Sequence, residues 1–211
     1  MTLKRAIVLA SQKGGVGKST VAKAFIDLAR RAGRRVSAWD LDRGTGSLAL
    51  VYQVRDADVG CACEDVRATR APGAWLDAFH GEADDVVLDV PGGAMGDLLR
   101  FCPGGADSLV DFVTKAGREF VLVSVIGTRR DSMTTAQDAV EAFGAPTHHV
   151  VVKNGVLATR RTSSFTTAMR TRFPARSGTA RQPIWFAALA ARWCSCRSSI
   201  RSRWTFLTST R

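Results

Sequence analysis

The sequence predicts an α/β fold in which a mainly parallel sheet lies between two layers of helices. Three observations lead to this prediction. Short apolar runs of strand type alternate with segments of helical spacing. A glycine-rich stretch separates the first apolar run from the first helical segment. The 211 residues, 45% of them hydrophobic, are enough for one domain with a buried core.

The apolar runs and helical segments place the elements along the chain. Strands are predicted at residues 5–10, 35–39, 85–89, 120–126 and 148–153. Helices are predicted at 19–32, 74–80, 93–101, 109–116 and 132–143, and Gly33 follows the first helix as a stop signal. Residues 60–82 are predicted to be a connecting region that contains the helix at 74–80. Because helices separate most of the strands, the connections predict parallel pairing with right-handed crossovers. No apolar run reaches the roughly 18 residues of a membrane span.

The net charge of +11 suggests nucleic-acid binding until its distribution is considered. Residues 1–155 hold 19 basic and 19 acidic residues, and residues 156–211 hold 11 arginines without Lys, Asp or Glu. The sequence therefore predicts an α/β domain at 1–155, followed by a tail at 156–211 of different character.

The five cysteines include no C-x-x-C pair, and no export signal is apparent at the N-terminus. We therefore expect reduced thiols in a cytoplasmic protein. Cys61 and Cys63 could hold a metal or an iron–sulfur cluster together with a partner chain, but the pattern favours ordinary thiols.

The glycine-rich stretch fits the end of the phosphate-binding pattern G-x-x-x-x-G-K-[ST]. Between a strand and a helix, such a loop points backbone N–H groups and the positive end of the helix dipole at phosphates. Lys18 would reach the β- and γ-phosphates, and the Ser19 hydroxyl would bind Mg²⁺. The candidate nucleotide-binding residues are Gly14, Gly15, Val16, Gly17, Lys18, Ser19 and Thr20.

The segment from Lys13 to Thr20, K-G-G-V-G-K-S-T, resembles the deviant Walker A motif of the ParA/MinD ATPases. The resemblance covers residues 4–155 and implies a three-layer P-loop NTPase fold. In that family the early lysine, here Lys13, reaches the nucleotide of a second subunit in an ATP-bound sandwich dimer. The resemblance thus implies that Lys13 makes hydrolysis depend on dimerisation, because γ-phosphoryl transfer needs positive charge on the phosphate oxygens.

Three aspartates lie at or just after the ends of predicted strands, at the edge where parallel sheets bind ligands. The resemblance implies that Asp40 holds Mg²⁺ through water, that Asp42 positions the attacking water and that Asp89 is the Walker B aspartate of the Mg²⁺ shell. It also implies a mobile second switch at Pro91-Gly92-Gly93. Taken alone, each aspartate is more typical of a loop or capping residue, but their order after the second and third strands of a P-loop chain reverses that preference.

Asn154 follows the fifth strand, where the family reads the adenine edge. An amide side chain can both donate and accept hydrogen bonds, which suits adenine. The pair Asn154-Gly155 is also a common turn.

The tail contains Trp185, Trp193 and Trp204 and lacks the closing helix expected from the resemblance. Three interpretations stay open: a shifted reading frame beginning near residues 158–162, a basic arm for nucleic acid or anionic lipid, and natural disorder. A shifted frame would make the net charge uninformative about partners, and the chain could then be a damaged product without activity.

The resemblance implies a weak, dimer-dependent ATPase that uses ATP and Mg²⁺ and positions plasmid or chromosomal DNA. The expected partners are a second copy of the chain, a ParB-like adaptor and non-specific DNA, with a bacterial, nucleoid-associated location. Because the first strand starts at once, without a helix-turn-helix before it, the small partition subgroup is favoured. The alternatives are a MinD-like or conjugation-associated ATPase, a metal-cluster carrier, disfavoured without C-x-x-C, and a nucleotide-binding scaffold without turnover.

Overall fold

A computed structural model of the chain describes residues 3–52, 60–68, 70, 73–127, 130–144, 146–154 and 204–209. Within them the predicted α/β fold is confirmed, with a sheet of seven strands in the order β3-β2-β4-β1-β5-β6-β7. The first six strands pair in parallel, and β7 pairs antiparallel with β6. The strands are β1 (Lys4–Ala10), β2 (Val36–Asp40), β3 (Ala62–Cys63), β4 (Asp85–Asp89), β5 (Arg118–Ile126), β6 (His148–Asn154) and β7 (Trp204–Ser209).

Four α-helices and one 3₁₀ helix cover the described part of the sheet. The α-helices are α1 (Lys18–Arg31), α2 (Met95–Leu99), α3 (Gly105–Lys115) and α4 (Arg130–Phe143). The segment Ala74–His80, predicted as a helix, is a 3₁₀ helix enclosed between Gly73 and Gly81. Gly33 adopts a left-handed conformation just after α1, as a helix stop requires.

Two strands were not predicted. β3 has only two residues, too few for apolar alternation to show, and the sequence assigned it to a connecting region. β7 lies in the anomalous tail, where no element was predicted, although its Trp, Phe and Thr residues favour strands. The rest of residues 156–211 lies outside the described residues. The three interpretations of the tail concern that part of the chain and stay predictions.

Both faces of the sheet are buried, as a parallel sheet requires. In β1, Ala6, Val8 and Ala10 belong to one apolar cluster, while Ile7 and Leu9 belong to the other. The first cluster also contains residues of α2, α3 and the 3₁₀ helix, and the second contains the apolar face of α1. The fold therefore has three layers, with β1 at the centre of the sheet.

A buried ion cluster closes the edge of the sheet opposite the glycine-rich loop. Asp85 accepts hydrogen bonds of 2.7 Å from both Arg5 Nε and Arg5 Nη2, and one of 2.6 Å from Arg34 Nε. Burial alone would raise the pKa of Asp85, but the hydrogen bonds from Arg34 and Arg5 outweigh it, so the pKa lies below its ordinary value. The cluster joins β1, β4 and the turn after α1.

Candidate functional site

The candidate site lies at the carboxyl edge of the sheet, where the loops after β1, β2 and β4 meet the last residue of β6. The phosphate loop, residues 11–17, joins β1 to α1. Gly15 and Gly17 have φ values of 77° and 91°, which a residue with a side chain rarely adopts. Gly17 precedes α1 directly, so the unpaired N–H groups of the first helical turn face the loop.

Lys18, Ser19 and Asp89 lie together at the base of the loop. Lys18 Nζ donates to Asp89 Oδ1, and Ser19 lies close enough to Asp89 to lower the pKa of its carboxyl. The pKa of Asp89 lies above its ordinary value because burial outweighs the opposing effects of Lys18 and Ser19, and the nearby charge of Asp40 adds to the rise. The structure thus brings Lys18 and Ser19, predicted from the glycine-rich motif, together with Asp89, predicted from a strand end.

Asp40 is 1% exposed and pairs in register with Asp89 across β2 and β4. Its Oδ1 accepts the N–H of Asp42 at 3.1 Å, and its Oδ2 accepts the N–H groups of Leu48 at 2.8 Å and Ala49 at 3.1 Å. Asp40 therefore holds the loop after β2 in shape. Since a carboxylate oxygen has two lone pairs, Oδ1 retains one for a water or a metal.

Asp42 is half-buried at the start of the same loop. Its Oδ1 accepts a long hydrogen bond of 3.4 Å from the N–H of Thr45, and its carbonyl accepts the N–H of Gly46. The structure places Asp42 beside Asp40 at the carboxyl edge, which is where an orienting group for water would stand.

The oxygen ligands near the loop fit Mg²⁺. A hydroxyl and two carboxylates come from Ser19, Asp89 and Asp40, and Mg²⁺ prefers oxygen donors completed by water and phosphate. Within the described ranges, no group of three or more His, Cys, Asp or Glu side chains could enclose a metal by itself.

Lys13 is exposed, and its backbone is closely packed. The Ser11 hydroxyl donates to the Lys13 carbonyl at 3.1 Å. A Cβ built on Gly92 would lie 2.9 Å from the carbonyl carbon of Lys13 and 2.8 Å from the nitrogen of Gly14. The turn after β4 thus lies against the phosphate loop without space for a side chain, a contact that the sequence did not predict. Thr20, also exposed, lies in the first turn of α1.

Asn154 ends β6 and is buried, with its Nδ2 donating to the carbonyl of Val16 at 2.9 Å. It borders a cavity of about 440 Å³ between the phosphate loop, the end of β5, α2 and α4. The cavity is not lined by the candidate phosphate and Mg²⁺ residues Lys18, Ser19, Asp40 and Asp89. It therefore lies beside the group that these residues form, which we call the phosphate cradle. Asn154 connects the two, because it contacts the loop on one side and the cavity on the other.

The cysteines of the pair Cys61-x-Cys63 differ in solvent exposure. Cys61 is buried and Cys63 is exposed. Burial raises the pKa of the Cys61 thiol to about 12, and burial together with Asp40 raises that of Cys63.

The chain was compared with known families and structures. Residues 7–169 match the family model described as the CobQ/CobB/MinD/ParA nucleotide binding domain. The chain belongs to this family. The match stops inside the arginine-rich tail. Family membership confirms the predicted P-loop nucleotide-binding domain of the ParA/MinD type, and leaves the small partition subgroup as a prediction. In the part of the chain that the structure describes, no helix is long and apolar enough to cross a membrane.

Similar proteins carry several different names. The cell division ATPase MinD of Pyrococcus furiosus is 20% identical, with a TM-score of 0.49, covering 75% of each chain. Cobyrinic acid a,c-diamide synthase of Mycobacterium smegmatis, with bound ADP and magnesium, is 16% identical, with a TM-score of 0.47, covering 82% of this chain and 83% of that one.

Among curated proteins, the cytosolic Fe-S cluster assembly factor CFD1 of Chaetomium globosum is 34% identical over 82 residues, 39% of this chain and 24% of that protein. Its counterpart in Neurospora crassa gives the same values. The matched part of the chain spans about a quarter of the length of these relatives.

Proposed function

We propose that this chain is an ATPase of the partition type, which forms a sandwich dimer with ATP and Mg²⁺ and dissolves it by hydrolysis. The observation that carries the proposal is the grouping of Lys18, Ser19 and Asp89 under a glycine loop that presents a second, exposed lysine, Lys13. A nucleotide-binding site needs the first three residues. The fourth is explained by a second subunit.

The residues of the chain divide the work. Lys18 would leave Asp89 and bind the β- and γ-phosphates, while the loop N–H groups and the start of α1 hold the phosphate oxygens. Bound Mg²⁺, held by Ser19, Asp89 and Asp40, would neutralise charge on the phosphates. Asp42 would orient the attacking water, and Asn154 would contact the base from the end of β6.

Lys13 would act in trans. The residue is exposed on the phosphate loop, and we infer that its ammonium group approaches the nucleotide of a partner. Positive charge from the partner stabilises the transition state of γ-phosphoryl transfer, so hydrolysis would require the dimer.

The test is light scattering combined with phosphate release, using the full chain with ATP and Mg²⁺. We expect an ATP-dependent dimer with slow turnover in the wild type, and a monomer without turnover in Lys13→Ala. Asp42→Ala should keep the dimer and lose turnover. Lys23→Ala, which removes a lysine of α1 outside the loop, is the control and should match the wild type.

Two results would contradict the proposal. A wild-type chain that binds ATP and never releases phosphate would be a nucleotide-binding scaffold. A dimer in Lys13→Ala as stable as in the wild type would remove the role of the second lysine.

The DNA-positioning part has its own test. With ATP and Mg²⁺, we expect the wild type to retard non-specific duplex DNA in a gel, and ADP to abolish the shift. Turnover should rise when a ParB-like adaptor is added. Binding to anionic vesicles in place of DNA would instead indicate a membrane-positioning ATPase of the MinD kind.

A further inference from the structure

The loop after β3, residues 64–68, is attached to the loop that carries the candidate catalytic aspartates. The N–H of Glu64 donates to the carbonyl of Asp40 at 2.9 Å, and the N–H of Val66 donates to the carbonyl of Leu41 at 3.3 Å. The sequence had assigned this stretch to a plain connecting region. In the structure it continues along the carboxyl edge towards the turn after β4.

Two arginines join the 64–68 loop to the segment after β4. The guanidinium group of Arg67 donates to the carbonyl of Gly92, and its Nε lies 4.0 Å from a carboxylate oxygen of Asp97 in α2. In the opposite direction, Arg100 donates from the end of α2 to two backbone carbonyls of the 64–68 loop, at 2.8 and 2.5 Å. Each side thus holds the other through backbone carbonyls, whose positions depend on the fold of the chain and not on side-chain rotamers.

The carbonyl that Arg67 holds belongs to the residue that lies against the phosphate loop. Gly92 has backbone atoms of Lys13 and Gly14 within 3 Å of the position where a Cβ would be. The next residue, Gly93, donates its N–H to the carbonyl of Ser11 at 2.9 Å. Because the contact is between main chains, any displacement of this turn is transmitted to the Lys13 peptide.

We propose that Arg67 is a positioning residue that holds the Pro91–Gly93 turn against the phosphate loop and so sets the place of the Lys13 peptide. Arg67 affects nucleotide binding only through the Lys13 peptide, and this effect rests on the proposed function. The effect of Arg67 on the Pro91–Gly93 turn is independent of the proposed function. The 64–68 loop then connects three parts of the site: the Asp40 loop, the turn after β4 and the phosphate loop.

Hydrogen–deuterium exchange of the full chain without nucleotide tests the proposal. In Arg67→Ala, we expect the amides of residues 11–17 and 90–95 to exchange about three- to tenfold faster, the range for losing a hydrogen bond from a charged donor at a half-exposed site. Arg67→Lys keeps the charge and one donor, so it should restore most of the protection. Arg70→Ala, an exposed arginine on the same connection, is the matched control and should match the wild type.

A fluorescent ATP analogue then tests the link to the site. We expect its affinity for Arg67→Ala to be about two- to fivefold lower than for the wild type, and the affinity for Arg67→Lys to return to the wild-type value. The reason is that a less ordered Lys13–Gly14 peptide holds its N–H less well in position for the phosphates. Failure of the wild type to bind the analogue would overturn the proposed function and leave the exchange result standing.

Two outcomes would overturn the proposal itself. One is unchanged exchange of both segments in Arg67→Ala. The other is equally faster exchange in the core of β5, which would show that Arg67 stabilises the fold as a whole and does not position the turn.

Discussion

The close contact between Gly92 and the phosphate loop allows a quantitative prediction. A Cβ at this position would lie 2.8 Å from the nitrogen of Gly14, whereas ordinary van der Waals contact begins at 3.4 Å. In Gly92→Ala, the two main chains must therefore separate by about 0.6 Å. Neither side is the end of a flexible side chain, so no rotamer change relieves the contact.

The displacement has two expected effects. Overpacking of this kind costs about 1–3 kcal/mol of stability. The displaced Gly14 N–H would also meet the phosphate at a poorer distance, and we expect nucleotide affinity to fall about tenfold, which corresponds to ~1.4 kcal/mol.

The assays are urea denaturation and titration with a fluorescent nucleotide. Gly96→Ala is the matched control: Gly96 lies in α2, and a Cβ there would meet no atom within 4 Å outside its own helix turn. That variant should gain about 0.5–1 kcal/mol from helix propensity and keep its nucleotide affinity. Unchanged stability and affinity in Gly92→Ala would refute the reasoning, because the turn would then have room that the geometry denies it.

Two further predictions concern buried charge. Asp85→Asn should lose about 3 kcal/mol of stability at pH 7, because Arg5 and Arg34 keep their charges without a carboxylate. The folded pKa of Asp85 lies below the unfolded value of about 3.9, so its contribution is present above that value and is lost as the pH falls through the folded pKa. Urea denaturation at several pH values should therefore show wild type and variant converging in acid. Asp89→Asn should bind ADP about fivefold more tightly than the wild type in EDTA, because Lys18 no longer has to leave a carboxylate to reach the phosphates. The variant should also lose the increase in ADP affinity that Mg²⁺ gives the wild type. Titrations with ADP in EDTA and in Mg²⁺ measure both effects.

Each of these variants has a contradicting result, and Asp85→Asn has a matched control. Asp107→Asn, which changes an exposed carboxylate in the first turn of α3, is the control for Asp85→Asn and should cost at most about 1 kcal/mol at pH 7. A constant difference between Asp85→Asn and wild type down to pH 2 would contradict the linkage. Weaker ADP binding by Asp89→Asn in EDTA would show that Asp89 does more for the loop than occupy Lys18.

The sequence predicted those site residues whose position in the fold depends only on where a single strand ends. Lys18 and Ser19 follow a glycine loop, and Asp40 and Asp89 end apolar runs, so their positions at the carboxyl edge follow from parallel pairing. The fold class followed in the same way, from runs long enough to show a period.

What the sequence could not predict depends on how separate loops pack. The approach of Gly92 to Lys13 and the hydrogen bond from Arg67 to Gly92 join residues far apart in the chain through main-chain atoms, which leave no residue-type pattern. The amides held by Asp40 likewise follow from the path of the loop after β2. β3 was missed because two residues cannot display alternation.

The order of strands separates the two halves of nucleotide recognition. The phosphate loop, Asp40 and Asp89 come from β1, β2 and β4, three neighbours in the sheet, whereas Asn154 comes from β6 on the other side of β5. Fraying of the β6 side would leave the phosphate loop, Asp40 and Asp89 on their own strands and remove the contact with the base that we propose for Asn154. We therefore expect gentle heating or low urea to erode discrimination between ATP and GTP before it erodes retention of either nucleotide.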